Sequence, residues 1–162
     1  MRELLEGRRF GFALRPLLGG VALGLAFAIT LLDLMAWFAW GSRETNGFVI
    51  AASWLCVAAA LVALLAMFAA YAENADVPFE DRQLARLDLA GVGVAMLLYA
   101  GSAILRSFDL NAAGATPPAL LLALAGLIVL LVGSGLGSLL YAAREWEEIE
   151  EVIRERHHRR RA

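Results

Sequence analysis

The sequence predicts an all-α integral membrane protein, a bundle of four transmembrane helices with a cytoplasmic helical extension at its C-terminus. Four continuous apolar runs predict this fold class, at residues 17–40, 48–71, 89–105 and 118–142. Each is close to or above the roughly 20 residues with which a helix crosses a hydrocarbon core about 30 Å thick. The composition agrees, because 60% of the residues are hydrophobic and the mean hydropathy is +0.67. The runs do not alternate apolar and polar residues as the strands of a membrane barrel do, so helices are expected.

The first run follows an arginine-rich segment, residues 1–16, that also carries leucines and phenylalanines. This composition fits an interfacial segment resting on anionic lipid head groups; a frayed tail whose arginines only set the topology is the alternative. The run is too long for the apolar part of a secretory signal, and the bulky sequence from Trp37 to Trp40 is a poor cleavage site. We therefore expect a retained helix and three regions: residues 1–16, a transmembrane domain at 17–142 and a charged tail at 143–162.

Every cation of the chain is an arginine, and the arginines are unevenly distributed. Twelve of the fourteen lie in the N-terminal segment, in the loop between the second and third runs and in the C-terminal tail. Only Arg43 and Arg106 lie in the other two loops. Loops retained in the cytoplasm collect such residues. The pattern predicts a multi-pass protein of the bacterial inner membrane with both termini in the cytoplasm.

Aromatic and small residues predict how the helices are placed. Trp37, Trp40 and Trp54 bracket the first outer loop, as expected for an aromatic belt at the membrane interface. Glycines spaced one turn apart predict smooth helix faces that let backbones approach closely. They are Gly20, Gly24, Gly133 and Gly137. Packing within the bundle is the expected use of these faces, and a homodimer interface is the alternative.

The tail at residues 143–162 continues the fourth run with a helical pattern. Trp146, Ile149 and Ile153 form one apolar stripe, and glutamates precede arginines at the favourable spacing of four residues. One interpretation is an exposed helix stabilised by its own ion pairs. The other is a docking helix for a cytoplasmic partner.

Asp33 is the only acidic residue within the four runs. A carboxylate at the centre of a transmembrane helix costs about 2.5–3.5 kcal/mol, so it must be protonated, hydrated or paired. Arg106 ends the short third run at a similar depth, because the first and third helices run in the same direction, and its guanidinium fits a carboxylate. Thr30 and Ser102 could complete a polar cluster. A structural pair that fixes helix packing is the preferred interpretation, and a proton or ion relay is the alternative.

The remaining residues indicate no catalytic, cofactor-binding or metal site. The two histidines, His157 and His158, lie in the tail, so two histidines facing each other inside the bundle cannot ligate a haem. The single cysteine, Cys56, has no partner for an intrachain disulfide, and no credible Ser/His/Asp arrangement is present. We expect no cofactor, no metal and no nucleic acid as a ligand.

Motifs spread along the chain carry a resemblance to a known family. They are Arg15-Pro16, Leu32-Asp33-Leu34, the alanine-rich stretch 54–71, Leu98-Tyr99 with Arg106, and Gly133-Ser134-Gly135-Leu136-Gly137 with Tyr141. Over about residues 14–142 the chain resembles a bacterial family of four-helix membrane proteins known only as a domain of unknown function. The resemblance implies the four-helix fold and the Asp33–Arg106 pair, and it names no reaction. Many members have histidines where this chain has Arg15 and the Arg86 region, so no haem or metal role is implied here.

The expected function is that of a non-enzymatic inner-membrane protein, an accessory or scaffold subunit of a larger membrane complex. Its expected partners are the lipid bilayer, other membrane subunits or further copies of itself, and a cytoplasmic protein if the tail docks. The alternative is a small oligomeric proton-coupled carrier or channel in which Asp33 titrates. Polar residues are few through the membrane depth, and this favours the scaffold.

Overall fold

A computed structural model describes residues 14–41, 45–74, 82–108, 110, 113–114 and 116–135, with side chains throughout except at 73 and 74. The described elements are four helices. They are α1, Leu14–Trp37; α2, Gly47–Asn74; α3, Arg82–Ser107; and α4, described as Pro117–Gly135. All four are long and apolar enough to span a membrane, so the predicted all-helical architecture is confirmed. The predicted tail helix and Gly137 lie outside the described residues.

The first helix begins at Leu14 and ends at Trp37, whereas the apolar run extends to residue 40. Ala39 has a left-handed backbone with φ at 58°. Its N–H donates to the Ala36 carbonyl and the Trp40 N–H donates to the Met35 carbonyl, both at 3.0 Å. These two bonds form the Schellman arrangement that closes a helix C-terminus. The left-handed residue therefore stops α1 although apolar residues continue.

The third helix begins at Arg82, seven residues before the start of the predicted run, and is 26 residues long. Its first two turns carry Arg82, Arg86 and Asp88, which an apolar pattern leaves out. Asp88 is nevertheless buried, at 5% exposure, and forms an ion pair with Arg15. A carboxylate therefore lies inside α3, in addition to Asp33 in α1.

Small side chains fill the interior of the bundle, and large apolar side chains lie on its surface. The buried cluster consists mostly of alanines, with Ile29, Tyr99, Leu127 and Leu130 as its largest members. Many large apolar side chains on the four helices are 41–71% exposed, and leucines, phenylalanines and tryptophans are among them. A water-soluble bundle places its large apolar residues inside. The reverse distribution suits helices that pack closely through small residues and face lipid.

The closest glycine contact described between helices is made by Gly126 of α4. A Cβ atom there would lie 2.8 Å from a ring carbon of Tyr99 on α3, and the Tyr99 hydroxyl donates to the Ala123 carbonyl at 3.2 Å. Gly20 and Gly24 are exposed, and a Cβ on either would meet no neighbouring atom within 4 Å. The expectation that these two glycines pack within the bundle is therefore corrected.

One buried asparagine joins the two turns at the same end of the bundle. Asn46 is 2% exposed, and its amide nitrogen donates to the carbonyls of Trp40 at 3.0 Å and Ala113 at 2.9 Å. Its side-chain oxygen accepts from the Phe48 N–H at 3.1 Å, which caps the start of α2. The α1–α2 and α3–α4 turns are therefore neighbours, and we call this the Asn46 end. The opposite end, where α1 and α3 begin, is the Arg15 end.

Candidate functional site

Near the Asn46 end, Asp33 of α1 and Arg106 of α3 form a buried ion pair. Arg106 Nη1 donates to Asp33 Oδ1 at 2.8 Å, and Nη2 donates to Oδ2 at 2.5 Å. Both side chains are at most 2% exposed. The fork of the guanidinium thus meets both carboxylate oxygens, the geometry that makes such pairs strong and directional. The structure brings together the two residues that the sequence pairs.

Ser102 extends this pair towards α4 and α2. It accepts a hydrogen bond from Arg106 Nε at 3.2 Å and donates to the Ala119 carbonyl of α4 at 2.8 Å. The Cys56 sulfur of α2 lies 3.7 Å from the Ser102 hydroxyl oxygen. Because the serine has one hydrogen and gives it to Ala119, the thiol must be the donor to Ser102. The cluster therefore connects all four helices through one serine.

Thr30 does not join this cluster. Its hydroxyl donates to the Ala26 carbonyl of its own helix at 2.9 Å, a bond common for threonine inside helices. The expectation that Thr30 supports the pair is therefore corrected, and Cys56 is the residue that contacts Ser102 in the cluster. The signal for Cys56 was its position in the α2 face of small residues, which carries no indication of a polar partner.

A second ion pair, between Arg15 of α1 and Asp88 of α3, lies at the Arg15 end. Arg15 Nη2 donates to Asp88 Oδ2, and the two side chains are 13% and 6% exposed. Sequence reasoning assigned Arg15 to the cytoplasmic tail and Asp88 to a loop, so it missed this pair. Both residues lie inside helices in the structure.

The two pairs share one spacing, and this spacing was the available signal. The partners of each pair are separated by 73 residues. Along each helix the charged residues are 18 residues apart, which is about five turns and about 27 Å. Five whole turns return a side chain to the same face, so α1 and α3 are joined at two heights. In one pair α1 carries the arginine, and in the other pair it carries the aspartate. This distance is close to the roughly 30 Å thickness of a hydrocarbon core.

Between the two pairs the interior is almost entirely apolar. The buried cluster of described residues at these heights contains one hydroxyl, that of Tyr99, and it is bonded to the Ala123 carbonyl. Throughout the described part of the chain, no buried side-chain nitrogen or oxygen lacks a hydrogen-bond partner. The arrangement can hold helices in register. It offers no described chain of polar groups that connects one pair to the other.

The other predicted residues are placed as follows. Trp37, Trp40 and Trp54 are 57–67% exposed, so an aromatic belt remains compatible with their positions. Gly133 is buried, and a Cβ on it would lie 3.9 Å from Asp88 Oδ1. Within the described ranges, no group of three or more metal-ligating side chains is found.

Comparison with known proteins gives no relative from which a function could be carried over. The chain matches no protein-family model, and no curated protein or solved structure is significantly similar to it. The family resemblance drawn from the sequence motifs therefore stays a prediction. The site must be interpreted from its own geometry.

Proposed function

We propose that this chain is a non-enzymatic, multi-pass protein of the bacterial inner membrane, with both termini in the cytoplasm, that serves as an accessory or scaffold subunit of a larger membrane complex. The observation that carries the proposal is the pair of Arg–Asp bridges between α1 and α3. Each of the three charged side chains buried in the described helices, Asp33, Asp88 and Arg106, has a partner of opposite charge. Such bridges favour a bundle with one fixed register.

The same geometry argues against the carrier alternative. A proton or ion path needs polar groups at successive depths, whereas the described interior between the bridges is alanine, leucine and isoleucine apart from Tyr99 and Cys56. Asp33 also has both oxygens engaged by Arg106. A relay would have to break this bidentate pair in each cycle, which leaves a buried charge uncompensated.

Two measurements on the full-length chain test the proposal. A tagged chain, extracted from its native membrane in mild detergent, should migrate as a complex that contains a different membrane protein in fixed stoichiometry. A chain that ends at Ala142 serves as the comparison, because it removes the tail and keeps the four apolar runs. Loss of the complex in this variant would assign the docking to the tail, and its retention would assign it to the helices.

The second measurement addresses the carrier directly. Purified chain is reconstituted into vesicles that hold a pH-sensitive dye, and an imposed proton gradient should decay at the rate of protein-free vesicles. Faster decay that Asp33→Asn abolishes would contradict the proposal and support the carrier. Recovery of the chain only as a monomer or homo-oligomer would also contradict it.

A further inference from the structure

A cavity of about 230 Å³ lies at the Arg15 end of the bundle. All four helices contribute to its wall. The lining residues include Arg15, Gly20, Ala66, Asp88, Gly133 and Ser134. The glycines and Ala66 leave the space unfilled, and the Arg15 guanidinium and the Asp88 carboxylate are the only ionic groups among the described residues of the wall.

The Asp88 carboxylate is only half satisfied within the described part of the chain. Its Oδ2 atom accepts from Arg15, whereas no described residue donates a hydrogen bond to Oδ1. The side chain is 6% exposed, and Oδ1 points towards Gly133, another residue of the cavity wall. Because no buried side-chain oxygen of the described residues lacks a hydrogen-bond partner, Oδ1 is not fully buried and is open to the cavity. A ligand that supplies a donor in the cavity would satisfy it.

The cavity wall restricts the ligand to an amphiphile. Most of its lining is apolar, and two of the lining residues, Gly20 of α1 and Ser134 of α4, are exposed. The side of the cavity formed by these two residues faces lipid if the helices span the membrane. Pockets for whole small molecules measure about 300–1,000 Å³, so this smaller space suits a compact polar group whose apolar remainder lies outside.

We infer that the cavity binds the zwitterionic head group of an ethanolamine phospholipid. The ammonium group donates to Asp88 Oδ1, and the phosphate faces the Arg15 guanidinium. The positive and the negative group of the head group thus each meet the side chain of opposite charge in the Arg15–Asp88 bridge. An anionic phospholipid without an amine would bring its phosphate to Asp88 with no donor of positive charge, and the choline head group carries no N–H to donate. The inference goes beyond the scaffold role and does not depend on it.

The first test measures lipid selectivity. Delipidated full-length chain is titrated with ethanolamine, choline and glycerol phospholipids of identical acyl chains, and bound lipid is counted by native mass spectrometry. A hydrogen bond between charged groups is worth enough to give the ethanolamine lipid an advantage of about tenfold or more in affinity over the choline lipid. Equal binding of ethanolamine and choline lipids, or of ethanolamine and glycerol lipids, would overturn the inference.

The second test uses variants that do not depend on the stability of the bridge. Gly20→Leu should abolish selective binding, because a helical side chain leans towards the N-terminus and here would cover the cavity. Gly24→Leu is the matched control: Gly24 lies one turn further along, is also exposed, and does not line the cavity. Similar losses of lipid selectivity in both variants would overturn the inference.

Two further arms identify the contact and the source of the head group. Asp88→Asn should reduce the selectivity for ethanolamine over choline lipid to about one, because the carboxylate charge is lost; selectivity retained in a folded variant would contradict the inference. Water-soluble glycerophosphoethanolamine should not displace the lipid at equal concentration, since it lacks the acyl chains. Displacement as effective as that by the lipid would show a site for a soluble phosphodiester instead.

Discussion

At the scale of single residues, Asp33 and Arg106 satisfy each other in surroundings that offer few other polar groups. The two hydrogen bonds between them and the Ser102 contact replace the water that each charge loses. The net stability that such a pair adds over apolar residues of the same volume is small, but the removal of one member leaves a buried charge. The loss of stability should therefore differ measurably between the removal of one member and the replacement of both.

We predict that Asp33→Ala and Arg106→Ala each lower the free energy of unfolding in detergent by about 3–5 kcal/mol, because each leaves its partner uncompensated. The double substitution should lose less than the sum of the two. Leu34→Ala is the control, since this neighbouring side chain is exposed and its truncation should cost about 1 kcal/mol or less. Strictly additive losses would contradict the pairing. Asp33→Asn that keeps full stability while abolishing a proton-linked activity would favour the relay.

The residue scale also shows where sequence reasoning about the site succeeded and failed. The Asp33–Arg106 pair could be predicted because an isolated acid in an apolar run demands a partner, and Arg106 was the cation at matching depth. The Arg15–Asp88 pair lies at the edge of the apolar runs, where a charge demands no partner, so hydropathy alone did not reveal it. Asn46 appeared only as part of an Asn-Gly turn signal, because its bond to Ala113 depends on how the two turns meet.

At the scale of elements, backbone geometry rather than hydropathy sets the end of α1. Ala39 holds the left-handed position that glycine usually takes in a Schellman arrangement. Similarly, α3 begins at Arg82 and includes Asp88, whose charge is paired with Arg15 of another helix, α1. The number of helices could be predicted because each apolar run is long enough to cross a bilayer. Their ends could not, because apolar residues continue past a backbone stop and charged residues enter a helix when they are paired.

We predict that Ala39→Gly raises the free energy of unfolding by about 1 kcal/mol. A left-handed backbone costs an alanine about 1–2 kcal/mol. Glycine removes this cost, but part of the gain is lost because glycine has more chain entropy in the unfolded state. Ala26→Gly, in the middle of α1 and fully buried, is the control. It should lower stability by about 1 kcal/mol or more, because glycine is a poor residue in a helix interior. Thermal unfolding of the two variants in the same detergent should shift in opposite directions. A decrease for both would mean that Ala39 is not strained.

At the scale of the whole molecule, the bundle combines an interior of small residues with two Arg–Asp bridges that lie about one membrane thickness apart. Small interior residues let the helices approach closely but supply little shape to fix their register. The Arg–Asp bridges of opposite polarity supply that register, because a shift of α3 along α1 by one turn would break both at once. The exposed leucines and phenylalanines then need a lipid or protein surface to cover them.

We predict that the Asn46 end faces the outside of the cell, because the loops at that end contain only one of the fourteen arginines, Arg43. Single cysteines at Ser42 and at Ala113, each in a Cys56→Ala background, should react with an impermeant thiol reagent in intact cells. A cysteine at Gln83, which is exposed near the start of α3 and whose replacement changes no charge, should react only after the membrane is permeabilised, and so should Ala162→Cys. The Asn46 contacts put residues 40 and 113 side by side, so the two outer sites must label together. Labelling at Gln83→Cys in intact cells, with none at the outer sites, would reverse the orientation and place the lipid cavity in the outer leaflet.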